Sequence, residues 1–398
     1  MTESLFSGLR VVDCASWIAG PCAATMLSDF GADVIKIEPP GLGDPWRTRG
    51  PFPGRDVDYY WQLTSRNKRS LAIDLKHADG IAALHRLVAS ADVFVTNFPL
   101  PVRDRLQLSA DHLMALNPRL IYASFTAYGE EGEEAAKTGF DSTAYWARTG
   151  LMDQVRAEET TPPARSMPGM GDHPSGTGLY AAIVTALYRR ERTGQGSLVK
   201  SSLLQNGLWA NACAVQTRLF NEHVGHRPLR EDAPNALANH YQTRDNRWFI
   251  MALFNEQRQL RGFLTAIGRP ELTDDPRFAT DAARKKNARV LTQVLDDVFR
   301  TRDLAEWRTV LDGVGVTFGI VATVDEALED PQMRACGALV PFADGKGLTI
   351  AAPFHVDGVE KIAPRRAPGL GQNTDDVLRE AGYSADEIGR MRGAGVVA

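Results

Sequence analysis

The stretch from Leu9 to Glu38, LRVVDCASWIAGPCAATMLSDFGADVIKIE, decides the fold class. After Gly8, Val11 and Val12 lie in a short β-rich run, and Gly20-Pro21 introduces CAATMLSDF, whose Ala, Met and Leu suit a helix. Gly31 closes that helix, and ADVIKIE follows as a second strand carrying Val34, Ile35 and Ile37. Strand, helix and strand in that order predict a right-handed parallel crossover. The pattern continues outward through SLAIDLK around residues 70–76, the helix-like GIAALHRLVASA, the strand ADVFVTN and the strand LIYASF ending near Phe125. This succession predicts an α/β fold, a Rossmann-like large domain with a mostly parallel sheet and helices on its faces. The turn after the first strand, Ala15-Ser16-Trp17-Ile18-Ala19-Gly20, lacks the GxGxxG that brings a pyrophosphate against a helix N-terminus, so the sheet does not imply NAD.

Residues 129–166 turn polar and are punctuated by Gly and Pro, which predicts exposed loops around the apolar FDSTAYWARTGLM. A long helix is expected from Asp172 onward, with Leu179, Ile183 and Leu187 at i, i+4 and i+8 facing the sheet. The organisation expected is a first part of the large domain over residues 1–224, a small α+β domain over 225–330, and a segment over 331–398 that returns to the large domain. In the small domain HYQTRD and RWFIMALF read as strands. Helices are expected near residues 257–267, 287–300 and 304–314, and another beginning at Thr374 near the C-terminus.

At 398 residues, 43% hydrophobic and 24% charged, the chain is long enough for more than one globular core. A net charge of −4 with dispersed basic residues sets nucleic-acid binding aside. The four cysteines have neither CxxC nor metal-like spacing, which points to a reducing compartment. The N-terminal residues lack a signal-peptide pattern and no run approaches a membrane span, so the expectation is a cytoplasmic protein with no membrane partner.

The most informative segment is GMGDHPSGTGLYAAIVTALYRRERTGQG, which sets the single carboxylate of Asp172 in a Gly-flanked turn before a helix. Helix capping alone explains an Asp here. A carboxylate at a helix N-terminus is also expected to stay ionised and nucleophilic, and glycines 169, 171, 176 and 178 leave room for a bulky substrate and offer N–H groups to an oxyanion.

Several blocks in order, WIAGPCAATMLSDFGADVIKIEPPGLGDPWR, SRNKRSLAIDLK, TNFPLPVRDRLQL, NPRLIYASFTAYG, GDHPSGTGLYAAIVTALYRRERTGQG and VATVDEALEDPQM, resemble the class III CoA-transferase (CaiB/BaiF) family over nearly the whole chain. The resemblance implies that Asp172 attacks an acyl-CoA, passes through a mixed anhydride and an aspartyl-CoA thioester, and hands CoA to a second acid. It further implies CoA contacts at Ile18, Ala19, Ile73, Lys76, Asn97, Phe98, Arg105 and Tyr128. CoA thioesters are substrates on this reading, with no permanently bound cofactor and no metal. Two chains are implied to interlock as a homodimer.

Two departures narrow the reading. Relatives using oxalate and formate carry consecutive glycines after the long helix, and EDAPNALANHYQTRDNRW has none, so dicarboxylic, unsaturated or hydroxy acids are favoured over oxalate. Thr96 stands where the family usually has an acidic residue before Asn97, and Leu100-Pro101 replaces Arg-Pro-Gly. The alternatives are an α-methylacyl-CoA racemase-like enzyme and a catalytically silent CoA-binding protein. Racemisation needs a paired base, and KTGFDSTAYW offers Phe140 before Asp141 where racemases have His. His173, beside Asp172, reads as a solvent or turn histidine.

Overall fold

The valines of β1 (Arg10–Cys14) alternate sides, as strand geometry requires, yet Val11 and Val12 are both fully buried. Both faces of the sheet are therefore covered, which is why its strands read as continuous apolar runs. In this computed structural model, which describes residues 4–49, 58–225 and 228–398, five further strands join β1. They are β2 (Asp33–Glu38), β3 (Arg69–Ala72), β4 (Val93–Thr96), β5 (Ile121–Thr126) and β6 (Ser197–Ser202). All pair in parallel, in the order β3-β2-β1-β4-β5-β6. The winding direction reverses between β1 and β4, the position where open α/β sheets bind ligands.

On one face Val11, Val34, Val93 and Ile121 pack with Ala23 and Leu27 of the Ala19–Asp29 helix and Leu179 and Ile183 of the Asp172–Thr193 helix. On the other, Val12, Ile35, Leu71 and Phe94 pack with Leu84 and Leu87 of the Ala78–Ala89 helix and Val377, Leu378 and Ile388 from two C-terminal helices. Gly176 allows one close approach: a Cβ there would lie 2.8 Å from the Ala19 carbonyl and 2.9 Å from the Cys22 Cβ. Gly178 allows another, since its Cβ would meet the Asn206 Oδ1 at 2.5 Å. These two glycines serve helix packing and not substrate approach, contrary to the sequence expectation.

Two local expectations are revised. The strand expected around residues 70–76 stops at Ala72, because Asp74 Oδ1 accepts the Lys76 N–H (2.9 Å) and turns the chain; Ile73 keeps only an isolated bridge to Val397. Within 129–166, Asp141–Ala147 forms a π-helix and Leu151–Gln154 a short α-helix. Neighbouring Gly207 explains the first in part: its missing Cβ would sit 2.5 Å from the Tyr145 carbonyl.

Residues 154–163 and 225–333 form a second compact unit with its own core. There β7 (His240–Gln242), β8 (Trp248–Met251) and β9 (Phe318–Ile320) make an antiparallel sheet over Tyr241, Phe249, Phe263, Phe299 and Trp307. Its helices are Glu256–Ala266, Ala288–Phe299 and Leu304–Gly313 among others. The larger unit adds a hairpin of β10 (Leu339–Pro341) and β11 (Leu348–Ile350).

Beside β1 and β2 the larger unit buries a set of charges. The Lys68 ammonium, shielded from solvent, donates to Asp13 Oδ2 (2.8 Å) and to the carbonyls of Pro21 and Thr64 (both 2.7 Å). Lys36, equally buried, pairs with Asp44 at 3.0 Å and donates to the Ala15 carbonyl. Arg47 grips Glu38 in a two-pronged pair at 2.6 and 2.8 Å. Burial alone would raise Asp13, but Lys36 and Lys68 outweigh it and hold the carboxyl below its usual range. Burial of Glu38 is likewise outweighed by Arg47 and Lys36.

Removing one partner of such a set leaves an uncompensated buried charge. Lys68→Met is therefore expected to lower the stability of the larger unit by about 3–5 kcal/mol in urea titration, whereas Asp13→Asn with Lys68→Met recovers part of the loss. A single-variant loss below about 1 kcal/mol would contradict this account of the network.

Candidate functional site

The chain leaves β1 at Cys14 and β4 at Thr96, and the residues that follow each strand, Ser16 to Ala19 and Asn97 to Pro99, wall a cavity of about 930 Å³. The Asn97 amide is a brace: its Oδ1 accepts the Ser16 N–H (2.9 Å) and its Nδ2 donates to the Ser16 carbonyl (2.7 Å). Next in the loop, Trp17 has a φ of +69°, a backbone state unfavourable for an aromatic residue. Its N–H donates to Asp44 Oδ1 (3.2 Å), so the carboxylate paired with Lys36 also holds this loop. The Trp17 ring meets Phe140 edge-on at 5.6 Å, and both rings line the cavity.

Asp172 reaches the same cavity as the first residue of the Asp172–Thr193 helix. The cap position belongs to Gly171, and the Asp172 carboxylate accepts no hydrogen bond among the described residues. Capping, the plain explanation open from sequence, is thus not its role. The expected ionisation by the helix terminus is also corrected: burial, and then repulsion from Asp141, raise Asp172 from 3.8 to about 7. Asp141, itself buried, accepts the N–H groups of Gly169 (3.1 Å) and Gly171 (3.4 Å) through Oδ2. Those two N–H groups are therefore committed to Asp141 and not offered to an oxyanion. Gly169 is required for another reason, a left-handed φ of +82° and a position where a Cβ would strike the His173 ring at 2.9 Å.

His173 is not a solvent histidine: it is half-buried, its Nδ1 lies 3.6 Å from Cys22 Sγ, and burial lowers its pKa. Burial raises the Cys22 thiol to about 11, so this pair is neutral.

Of the residues implied by resemblance, Ile18, Ala19, Asn97 and Phe98 line the same cavity as Asp172. Four others lie outside its walls. Ile73 is core, Lys76 and Arg105 are exposed, and Tyr128 is half-buried with the Lys137 ammonium 5.3 Å from its ring centre. Sequence reasoning passed over Trp17, Trp46, Arg49, Lys137 and Arg165, all on the walls, and weighed Phe140 and Asp141, also on the walls, only against the His of racemases. Among the described residues no cluster of His, Cys, Asp and Glu is suited to hold a metal ion, and no helix is long and apolar enough to cross a membrane.

Residues 6–374 match the model of CoA-transferase family III. The chain is 32% identical to (R)-2-hydroxy-4-methylpentanoate CoA-transferase of Clostridioides difficile, with 99% of each chain covered. It is 30% identical to cinnamoyl-CoA:phenyllactate CoA-transferase of Clostridium sporogenes, covering 97% of this chain and 95% of the relative. Its fold superposes on the crystal structure of a CAIB/BAIF family protein from Brucella suis with a TM-score of 0.84 at 30% identity, covering 96% of this chain and 100% of the other. The chain belongs to CoA-transferase family III and is a CoA-transferase.

The raised pKa of Asp172 predicts a pH signature in stability. Between the ordinary carboxylate value and about 7, the unfolded chain ionises Asp172 while the folded chain keeps it protonated, so stability falls as pH rises through that window. Asp172→Asn removes this loss. Its melting temperature should gain on the wild type progressively from pH 4 to pH 8 in calorimetry, and a pH-independent difference would contradict the assignment.

Proposed function

We propose that the enzyme moves CoA from an acyl-CoA donor to a carboxylic acid through covalent intermediates on Asp172. The observation that carries the reading is the Asp172 carboxylate itself, without a hydrogen-bond partner among the described residues and facing the cavity at the reversal of the sheet. An ionised Asp172 oxygen attacks the donor's thioester carbonyl, the C–S bond breaks, and CoA leaves as the thiolate. The thiolate then attacks the Asp172 carbonyl of the mixed anhydride, releasing the donor acid and leaving an aspartyl-CoA thioester. An acceptor carboxylate reverses the two steps. Splitting the exchange in this way replaces one unfavourable displacement between two stable acids with steps through activated acyl groups.

Ile18, Ala19, Asn97 and Phe98 contact the CoA or acyl chain in this reading, and Arg49, Lys137 and Arg165 supply positive charge for anionic groups. Ile73, Lys76, Arg105 and Tyr128 belong to the outer reach of CoA on the family resemblance alone. Hydroxy acids with an apolar side chain are the proposed acceptors. Apolar walls from Phe125, Phe140, Met167 and Leu203 suit such a side chain, and the relatives named for (R)-2-hydroxy-4-methylpentanoate and phenyllactate are similar over nearly their full length. The resemblance further implies a homodimer.

Incubation with acyl-CoA donors and a panel of acids tests the reading by mass spectrometry. The expected result is transfer to 2-hydroxy acids in preference to oxalate, a CoA adduct on the Asp172 peptide, and a loss of about a thousandfold or more in Asp172→Ala. Full transfer activity in Asp172→Ala, or exchange of the α-proton without transfer, would overturn it.

A further inference from the structure

Asp141 stands apart from the other cavity residues because its carboxylate is buried and already bonded to the segment that presents Asp172. Its Oδ2 takes the N–H groups of Gly169 and Gly171, which bracket the turn entering the Asp172–Thr193 helix. Asp141 is also the first residue of the Asp141–Ala147 π-helix, and the Tyr145 ring of that element leaves no room for a Cβ at Gly171, which would sit 2.7 Å away. One short element therefore fixes the turn both by packing and by hydrogen bonding.

We propose that Asp141 is a positioning residue that holds the turn before Asp172 and, as a second negative charge in the same cavity, favours acylation of Asp172. The inference rests on the covalent role of Asp172 proposed above. Repulsion between the two carboxylates is present while Asp172 is ionised and ends when its oxygen bonds the acyl carbon. In that step the O–C bond forms, the C–S bond breaks, and the negative charge departs on the CoA sulfur, so relief of the repulsion lies on the side of the intermediate.

Other charged or titratable groups do not substitute for Asp141. Arg49, Lys137 and Arg165 share the cavity walls, while His173 and Cys22 flank Asp172 from its own helix and from the Ala19–Asp29 helix, both neutral. Beyond burial, Asp141 is the neighbour that shifts Asp172 upward.

Asp141→Asn separates the two parts of the role, because an amide oxygen still accepts both glycine N–H groups but carries no charge. The pH profile of kcat/KM for transfer is the readout, with Asp172→Asn as the control for the covalent role. The wild type should gain activity with pH through a limb near neutrality. In Asp141→Asn that limb should move down by about one unit, with transfer above the limb falling roughly tenfold. A limb left in place with activity reduced equally at every pH would overturn the electrostatic role. Should Asp141→Asn not fold, carboxyl-labelled aspartate NMR tests the same coupling. Asp172→Asn should abolish one near-neutral titration and move a second aspartate resonance, and the absence of any second change would overturn the proposal. Activity retained in Asp172→Asn would instead remove the covalent reading on which the inference stands.

Discussion

Two lysines with no access to solvent, Lys36 and Lys68, govern how the chain leaves the first strand. Lys36 donates to the Ala15 carbonyl and pairs with Asp44, and Asp44 in turn accepts the N–H groups of Trp17 (3.2 Å) and Trp46 (2.9 Å). Lys68 joins Asp13 of β1 to the carbonyl of Pro21 in the first turn of the following helix. A buried ammonium ion is costly unless every proton finds an oxygen, and among these oxygens are the Ala15 carbonyl in the loop between strand and helix and those of Asp13 and Pro21 on either side of it. That loop therefore has one low-energy course, in which Trp17 adopts a positive φ and faces the cavity. In dinucleotide-binding proteins of similar topology, glycines give the same turn its freedom. Here fixed charges determine its path.

The wall at Asp172 follows a different rule. Asp172 is placed where burial and a second carboxylate both oppose its ionisation, and no hydrogen bond from the described residues compensates. Such a group lowers the stability of the folded chain at neutral pH, and the apolar layers on both sheet faces sustain it. The same features make the carboxylate more basic and less solvated, which suits attack on a thioester on the reading proposed for this enzyme. Asp13 lies only a few residues from the cavity wall, yet its two lysines hold it below the usual range. Two buried aspartates in one unit thus receive opposite treatment, one matched by cations and one set against an anion.

Much of this was legible in the sequence. The opening strands and first helix announce themselves because Val11, Val12, Val34 and Ile35 are buried on both faces of the sheet, leaving uninterrupted apolar runs. Asp172 was legible through its Gly-flanked turn and the ordered blocks around it. The π-helix at Asp141–Ala147 was not, since part of what shapes it is contact with a helix some sixty residues later, where Gly207 admits the Tyr145 carbonyl. The partners of Asp141 were equally hidden, because hydrogen bonds to backbone N–H groups leave no mark in side-chain pattern. Glycines 176 and 178 looked like room for a ligand, and only three dimensions reveal that neighbouring helices fill it. Trp17 gave no sign of its unusual backbone, because the charges that impose it come from Lys36 and Asp44, distant in sequence.

The central claim is that oxygen atoms of Asp172 enter the exchanged bonds. Turnover with an acceptor acid whose carboxylate carries heavy oxygen tests it directly, followed by mass analysis of the peptide containing Asp172. The acceptor oxygen bridges the mixed anhydride, and attack of CoA on the acceptor's carbonyl leaves that oxygen on the aspartate. The account predicts heavy oxygen on the Asp172 carboxylate after turnover. Labelled acyl-CoA formed with no label on Asp172 would contradict it.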